Sequence, residues 1–310
     1  MKRLKFLVSL TNSDNDYQVE QAAAAEKAAM RLGVDVKIIH ADNDAVTQSQ
    51  QLLEYVQGPA AQRPDAIVFE PAGGTAFPQV ARAAVAAGIG WVVLNHEADY
   101  IPDLRRSFKV PISAISADQE EIGRIQGLQF AALLSNGGSM LYIEGPANSS
   151  AAKERSRGMN KAKPINIQVK TMRANWTEEG SYRTVSSWLR LQTSQEMKLD
   201  LVGAQDDSMA MGARKAFSDL SGAARERWLK LPFTGCDGMP KTGQMWVHSG
   251  HLAATIFIRP NTDLALEMLT DALRNGTVLP ERKVTTPESV PTLEDLAALA
   301  SGKLRRGASL

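Results

Sequence analysis

Residues 4–40 read LKFLVSLTNSDNDYQVEQAAAAEKAAMRLGVDVKIIH, and this stretch decides the fold class. Residues 4–10 form an apolar, strand-like run, after which the chain turns polar at Thr11-Asn12-Ser13-Asp14. Ala22, Ala25, Ala29 and Leu32 then fall at helical spacing within residues 18–32, and Gly33 supplies a helix stop. A second apolar run at 36–40 completes strand, helix and strand with short connections. Parallel neighbouring strands require such a crossover helix, so the stretch predicts a βαβ unit.

The same rhythm continues outward. Helices are predicted at 45–56 and 76–87, with strands at 65–70 and 90–95. An irregular stretch, 97–111, holds Pro102 and Pro111. Asp118 with Glu121 three residues on forms a capping-box pattern that opens a helix over 119–134. Strands 139–144, 166–173 and 199–204 then alternate with helices 151–162, 178–193 and 208–220. Two further strands, 232–236 and 253–258, precede a helix over 262–275 that ends at Gly276. The tail closes on Lys303, Arg305 and Arg306, a cluster read as a solvated end. Two arrays of this kind imply two doubly wound lobes with parallel sheets. The length of 310 residues agrees with that reading, at about 150 residues per domain.

Composition removes several function classes. A formal net charge of +1 supplies no global basic field for nucleic acid or anionic lipid. The single cysteine, Cys236, excludes an intramolecular disulfide framework and reads as a buried structural residue at a strand end. No apolar run approaches the ~20 residues of a membrane helix. The basic start, Met1-Lys2-Arg3, is followed by too short an apolar run for a secretory signal, so the expectation is a cytoplasmic protein or a secreted one written without its leader. Neither Gly-x-Gly-x-x-Gly nor a phosphate loop follows a strand, Gly73-Gly74 is an ordinary turn signal, and no nucleophile elbow occurs. His248 and His251 flank the helix-breaking Ser249-Gly250, which argues against a metal site. The expectation is a protein that is not an enzyme, with no cofactor and no metal.

Ligands of open α/β sheets sit beyond the carboxyl ends of the strands. The residues there are Asn15 and Tyr17, Glu70, Asn95, His96 and Glu97, then Asn148 to Arg155, Trp176, Gln205-Asp206-Asp207 and Asp237. Carboxylates and amides accept from hydroxyls, arginine and amides donate to them, and aromatic faces cover sugar C–H surfaces. Such a mixture suits a neutral polyhydroxyl ligand. Within it, Asp207 stands where an N-cap is expected and Asp206 is the acid read as facing the cleft, while Glu70 and Glu97 read as surface acids.

Four segments then carry a family likeness: Ala151-Ala152-Lys153-Glu154-Arg155, the run from Ala204 through Asp206, Asp207 and Gly212 to Ala213, Gly235-Cys236-Asp237-Gly238, and Leu252-Ala253-Ala254-Thr255-Ile256. In this order they resemble the successive signatures of ribose-binding proteins, type I periplasmic solute-binding proteins that feed ABC importers. LacI-type repressors share the fold, but no helix-turn-helix precedes the first strand. The resemblance implies two hinge-linked Rossmann-like lobes, one of 1–116 plus about 261–283 and the other of about 117–260 plus 284–310. It also implies a ligand cleft between lobes that close, a monomeric periplasmic protein, an ABC permease as partner and no nucleic acid.

Carried over residue by residue, the resemblance implies that Asn15, Tyr17, Asn95, His96, Arg155, Trp176, Asp206 and Asp237 bind the ligand. Asn95-His96 stands where ribose binders have an Asp-Arg pair, Asp206 where they have Asn, and Ile258 where they have a hinge Gln. These departures argue against ribose and for another sugar or polyol. A sensing module that signals to a chemoreceptor or histidine kinase would share every one of these residues.

Overall fold

A computed structural model describes residues 3–73, 76–96, 98–195 and 197–303. Gly74, Glu97, Arg305 and Arg306, singled out above, lie outside the described residues. In chain order the elements begin β1 (Lys5–Leu10), α1 (Asp16–Leu32), β2 (Asp35–His40), α2 (Ala45–Gln57), β3 (Ala66–Phe69), α3 (Pro78–Ala86), β4 (Gly90–Leu94), α4 (Ile101–Ser107) and β5 (Ile112–Ala117). They continue with α5 (Gln119–Leu133), β6 (Gly138–Glu144), α6 (Ser150–Ala162), β7 (Ile167–Arg173), α7 (Glu178–Leu189), α8 (Gln192–Gln195), β8 (Leu201–Ala204), α9 (Asp207–Ser218), α10 (Gly222–Leu229), β9 (Phe233–Thr234), α11 (Gly243–His248) and β10 (Thr255–Phe257). The last are α12 (Thr262–Asn275), β11 (Arg282–Thr285), β12 (Glu288–Val290) and α13 (Leu293–Ala300).

The chain divides into two units, Met1–Ala117 with Pro260–Thr285 and Asp118–Arg259 with Thr286–Leu310. In the first, a six-stranded parallel sheet has the order β11-β5-β4-β3-β1-β2. Along β1, Leu7 enters one apolar cluster with Phe69, Trp91 and Val93, whereas Phe6, Val8 and Leu10 enter another with Val68, Val92 and Leu266. Side chains alternate across a strand, so both faces of this sheet are buried and the run carries no polar face. Strand order reverses direction at the β1–β3 junction, which is where this unit's candidate residues cluster.

The second unit holds a four-stranded parallel sheet, β7-β6-β8-β9, and an antiparallel pair, β10-β12. Its reversal lies at the β6–β8 junction. Helices α5 and α6 pack backbone against backbone: a Cβ on Gly123 would lie 1.9 Å from the Arg155 carbonyl oxygen, and one on Gly158 would lie 2.0 Å from that of Glu120. Only glycine permits such an approach at either position. The approach brings Gln119, at the start of α5, to the buried Arg155 on α6.

Several elements differ from the sequence reading. Helix α4 lies inside the stretch read as irregular; Pro102 sits in its first turn, where the missing amide hydrogen costs nothing. The helix expected through 193 ends at Leu189, and a separate short α8 follows. Helices α10 and α11 and the tail elements β11, β12 and α13 are additional. Among the described residues no helix is long and apolar enough to cross a membrane.

Candidate functional site

In the first unit the candidate residues form a closed hydrogen-bond hub around Asn95, the residue that follows β4. Its Nδ2 donates to the Tyr17 hydroxyl at 3.0 Å and to Glu70 Oε2 at 3.2 Å. Its Oδ1 accepts from Asn261 Nδ2 at 3.1 Å and from the Ala117 amide at 3.4 Å. An amide side chain offers two donor hydrogens and one carbonyl, so Asn95 is fully engaged within the unit. The sequence reading made Asn95 a direct ligand contact; in the structure its side chain bonds Tyr17, Glu70, Asn261 and Ala117. Its backbone sits at φ 55°, a left-handed conformation that asparagine adopts more readily than most residues.

Asn15 is also turned toward the protein. Its Oδ1 accepts from the amides of Tyr17 and Gln18 and so caps the N-terminus of α1. Glu70, read as a surface acid, is instead buried and also accepts from Gln21 Nε2. Gln21 in turn accepts from the amides of Asn261 and Thr262, tying the start of α12 into the hub. Asn261 and Gln21 carried no signal in the sequence, because Gln21 lies within a segment read only as helix and Asn261 just before one. His96 stands apart from the hub and lines a depression with Asp99, Ile101, Glu281 and Arg282. Its Nδ1 is shut off from solvent and has no hydrogen-bond partner among the described residues, and burial pushes its pKa down to about 4 against the backbone contact at Leu94. The imidazole is therefore neutral at pH 7.

The second unit gathers a charged set. Arg155 is only 7% exposed. Its Nε donates to Gln119 Oε1 at 2.8 Å and its Nη1 donates to the Gln205 carbonyl. Nη2 makes no hydrogen bond among the described residues. The guanidinium carbon lies 5.5 Å from the centroid of the Trp176 ring, a cation–π arrangement. Burial opposes the charge on Arg155, while Cys236, Asp237 and Asp206 favour it, and the net direction is upward. Gln205 builds the floor: its Nε2 reaches the Tyr142 hydroxyl, the Ala152 carbonyl and Ser156, and its Oε1 accepts from the Gly145 amide.

Trp176 follows β7 at φ 45° and its ring lies flat against Gly145, where a Cβ would come 2.2 Å from the indole. Asp237 sits at φ 110° after β9. Backbone in these regions costs energy and is found where surrounding contacts hold it. The N-cap read at Asp207 falls instead on Asp206, its Oδ1 accepting from the Met209 amide, because α9 begins one residue earlier than expected. Asp207 bonds instead to Gly238 and Thr255. Cys236 is buried and free, and burial raises its pKa well above the ordinary thiol range. Ile258 is buried and apolar. Among the described residues no group of three or more His, Cys, Asp or Glu side chains could hold a metal ion.

Residues 6–277 match the periplasmic binding protein domain family. The chain belongs to this family. As a type I periplasmic binding protein it is a solute binder and not an enzyme, with the two α/β units the sequence pattern predicts. It is similar to the putative rhizopine-binding protein of Rhizobium meliloti, 28% identical over 59% of this chain and 57% of that relative. It also resembles the D-allose-binding periplasmic protein of Escherichia coli K12, at 24% identity over 89% of this chain and 86% of the relative. Among solved structures, an ABC transporter periplasmic solute-binding protein from Actinobacillus succinogenes 130z, with bound D-allose, superposes with a TM-score of 0.79. That match has 20% identity and covers 95% of this binding protein and 99% of the other chain.

Proposed function

We propose that this chain is the solute-binding component of an ABC importer, taking a sugar or polyol and delivering it, as a periplasmic monomer, to a membrane permease. One observation carries the reading. Arg155 is buried and anchored at Nε and Nη1, which leaves Nη2 without a hydrogen bond among the described residues, beside the Trp176 ring at the carboxyl ends of the sheet. An anchored donor next to an aromatic face fits a ring that carries hydroxyls, because the donor fixes one oxygen while the indole covers C–H surface. Within the first unit, Asn95 holds a hydroxyl, that of Tyr17, and an acceptor, Glu70, at the carboxyl ends of its own sheet. The ligands that the relatives are named for, D-allose among them, support the same class.

The set also argues for a neutral or cationic ligand. Against the one arginine of this set stand the carboxylates of Asp206 and Asp237 in the same unit. A sugar acid or sugar phosphate would meet more like charge than opposite. A buried hydroxyl or amide left without its partner costs ~1–3 kcal/mol, so each departure from the ribose-binder pattern shifts affinity by about tenfold or more. Hexoses, inositols, pentitols and amino sugars are therefore favoured over ribose. A thermal-shift screen of these compounds against sugar acids tests the reading, with stabilisation expected from at least one neutral or cationic polyol. Trp176→Ala should abolish that shift and leave the melting of the unliganded protein nearly unchanged. Stabilisation by sugar acids alone would overturn the proposal.

A further inference from the structure

Asp207 is 1% exposed and opens α9, yet its carboxylate is not spent on the helix, because Asp206 supplies the cap. Its Oδ2 accepts from the Gly238 amide at 2.8 Å and its Oδ1 from the Thr255 hydroxyl at 2.7 Å. Its own amide donates to the Cys236 carbonyl at 2.6 Å. The bonds to Cys236 and Gly238 therefore straddle Asp237, the residue held at φ 110°. Asp237 is itself stitched to the neighbouring strand, donating to Ile256 O and accepting from Ile258 N, each at 2.9 Å. Two glycines make room for the carboxylate: a Cβ on Gly235 would come 2.1 Å from its Oδ1 and one on Gly243 2.0 Å from its Oδ2. A side-chained residue stays at such a φ only where its surroundings over-determine it.

We infer that Asp207 is a positioning residue for ligand recognition, fixing the strained Asp237 from both sides so that the Asp237 carboxylate meets a ligand hydroxyl at a set angle. The inference rests on the proposed ligand role of Asp237. Its chemistry is specific: Asp207 has to accept at Gly238, whereas its other atom can accept from or donate to a hydroxyl. An asparagine amide can do both, with its oxygen toward the Gly238 amide and its nitrogen toward the Thr255 hydroxyl. Alanine can do neither.

The test measures affinity by calorimetry, with D-allose, D-ribose and myo-inositol as probes, for Asp207→Ala, Asp207→Asn, Thr255→Val, Asp237→Ala and the double variant Asp207→Ala/Asp237→Ala. Asp207→Ala should lose at least tenfold in affinity and Asp207→Asn should recover most of it. The double variant should bind no worse than Asp237→Ala alone, because a residue that acts through Asp237 has nothing further to lose. A merely structural carboxylate would give additive losses, which would overturn the inference while leaving the role of Asp237 intact. An unchanged affinity in Asp237→Ala would overturn that role and this inference with it. If Asp207→Ala does not fold, Thr255→Val, which removes only the hydroxyl donor, should still lose severalfold, and wild-type affinity in it would count against the inference. In the unliganded Asp207→Ala chain the Gly238 amide should exchange faster with solvent than in Asp207→Asn, and equal protection would overturn the proposed anchoring.

Discussion

The two units place similar residues at the carboxyl ends of similar sheets, yet they use them differently. In the first, the central residue is a neutral amide whose hydrogen-bonding groups are all engaged by Tyr17, Glu70, Asn261 and Ala117. In the second it is a buried cation with two anchored nitrogens and a third that bonds to none of the described residues. The first arrangement sets positions, whereas the second keeps a directional donor in reserve. The contrast teaches that burial and polarity do not by themselves mark a ligand contact, and that the count of satisfied groups separates a hub from a hand.

The contrast is broken or sharpened most strongly at Arg155. Arg155→Ala should cost about thirtyfold to several thousandfold in affinity, since truncating one side of a buried, charge-assisted contact typically costs ~2–5 kcal/mol. It should also lower the stability of the unliganded protein, because Gln119 and the Gln205 carbonyl lose their donor while Asp206 and Asp237 lose a compensating charge. Arg155→Lys keeps the charge but cannot span both anchors, so it should restore stability better than affinity. Calorimetry paired with denaturant unfolding reads both. Equal recovery of the two in the lysine variant would show that Arg155 is only a structural cation.

His96 offers a pH test of the neutral character of the first unit. Its pKa falls from the ordinary 6.5 to about 4, chiefly through burial. Between these values the unfolded chain binds the extra proton and the folded chain does not, so stability rises with pH across that window. The contribution is fully present above pH ~6.5 and is lost as pH falls through about 4, by at most ~3 kcal/mol. Asp99, Glu281 and Arg282 face the same depression and are unchanged in the comparison variant. Unfolding curves between pH 4 and 7 should be steeper in pH for the wild type than for His96→Gln. Parallel slopes would mean that the imidazole titrates normally in the fold.

Much of the architecture was legible because its signals are local. The apolar run of β1, the stop at Gly33 and the capping residue Asp118 are each readable within a few positions, and each is realised. The tail was not legible for a physical reason. β11 is an exposed edge strand, Arg282 to Thr285, so it carries no apolar run, and its pairing with β5 depends on residues far away in the chain. The candidate residues could be placed by strand ends, but their partners could not. Gln119 reaches Arg155 only because Gly123 and Gly158 let two helices touch, and no spacing within either helix announces that contact. The one-residue shift of α9 similarly decided which of two adjacent aspartates caps the helix and which is free to hold Gly238.

The smallest expected effect is at Asn95, and it is the most direct test of the distinction between hub and hand. Asn95→Ala orphans the Asn261 amide and the Ala117 amide hydrogen and releases Tyr17 and Glu70. Buried groups left unsatisfied cost ~1–3 kcal/mol, so stability should fall by about that much. Affinity should fall about tenfold, because Tyr17 and Glu70 remain present but must be ordered by the ligand itself. Asn95→Asp should be worse than alanine for stability, since it replaces the donor that faces Glu70 with a second carboxylate. If Asn95→Ala instead matched Arg155→Ala in lost affinity with little change in stability, Asn95 would be a direct contact, and the closed hub would have to open when ligand arrives.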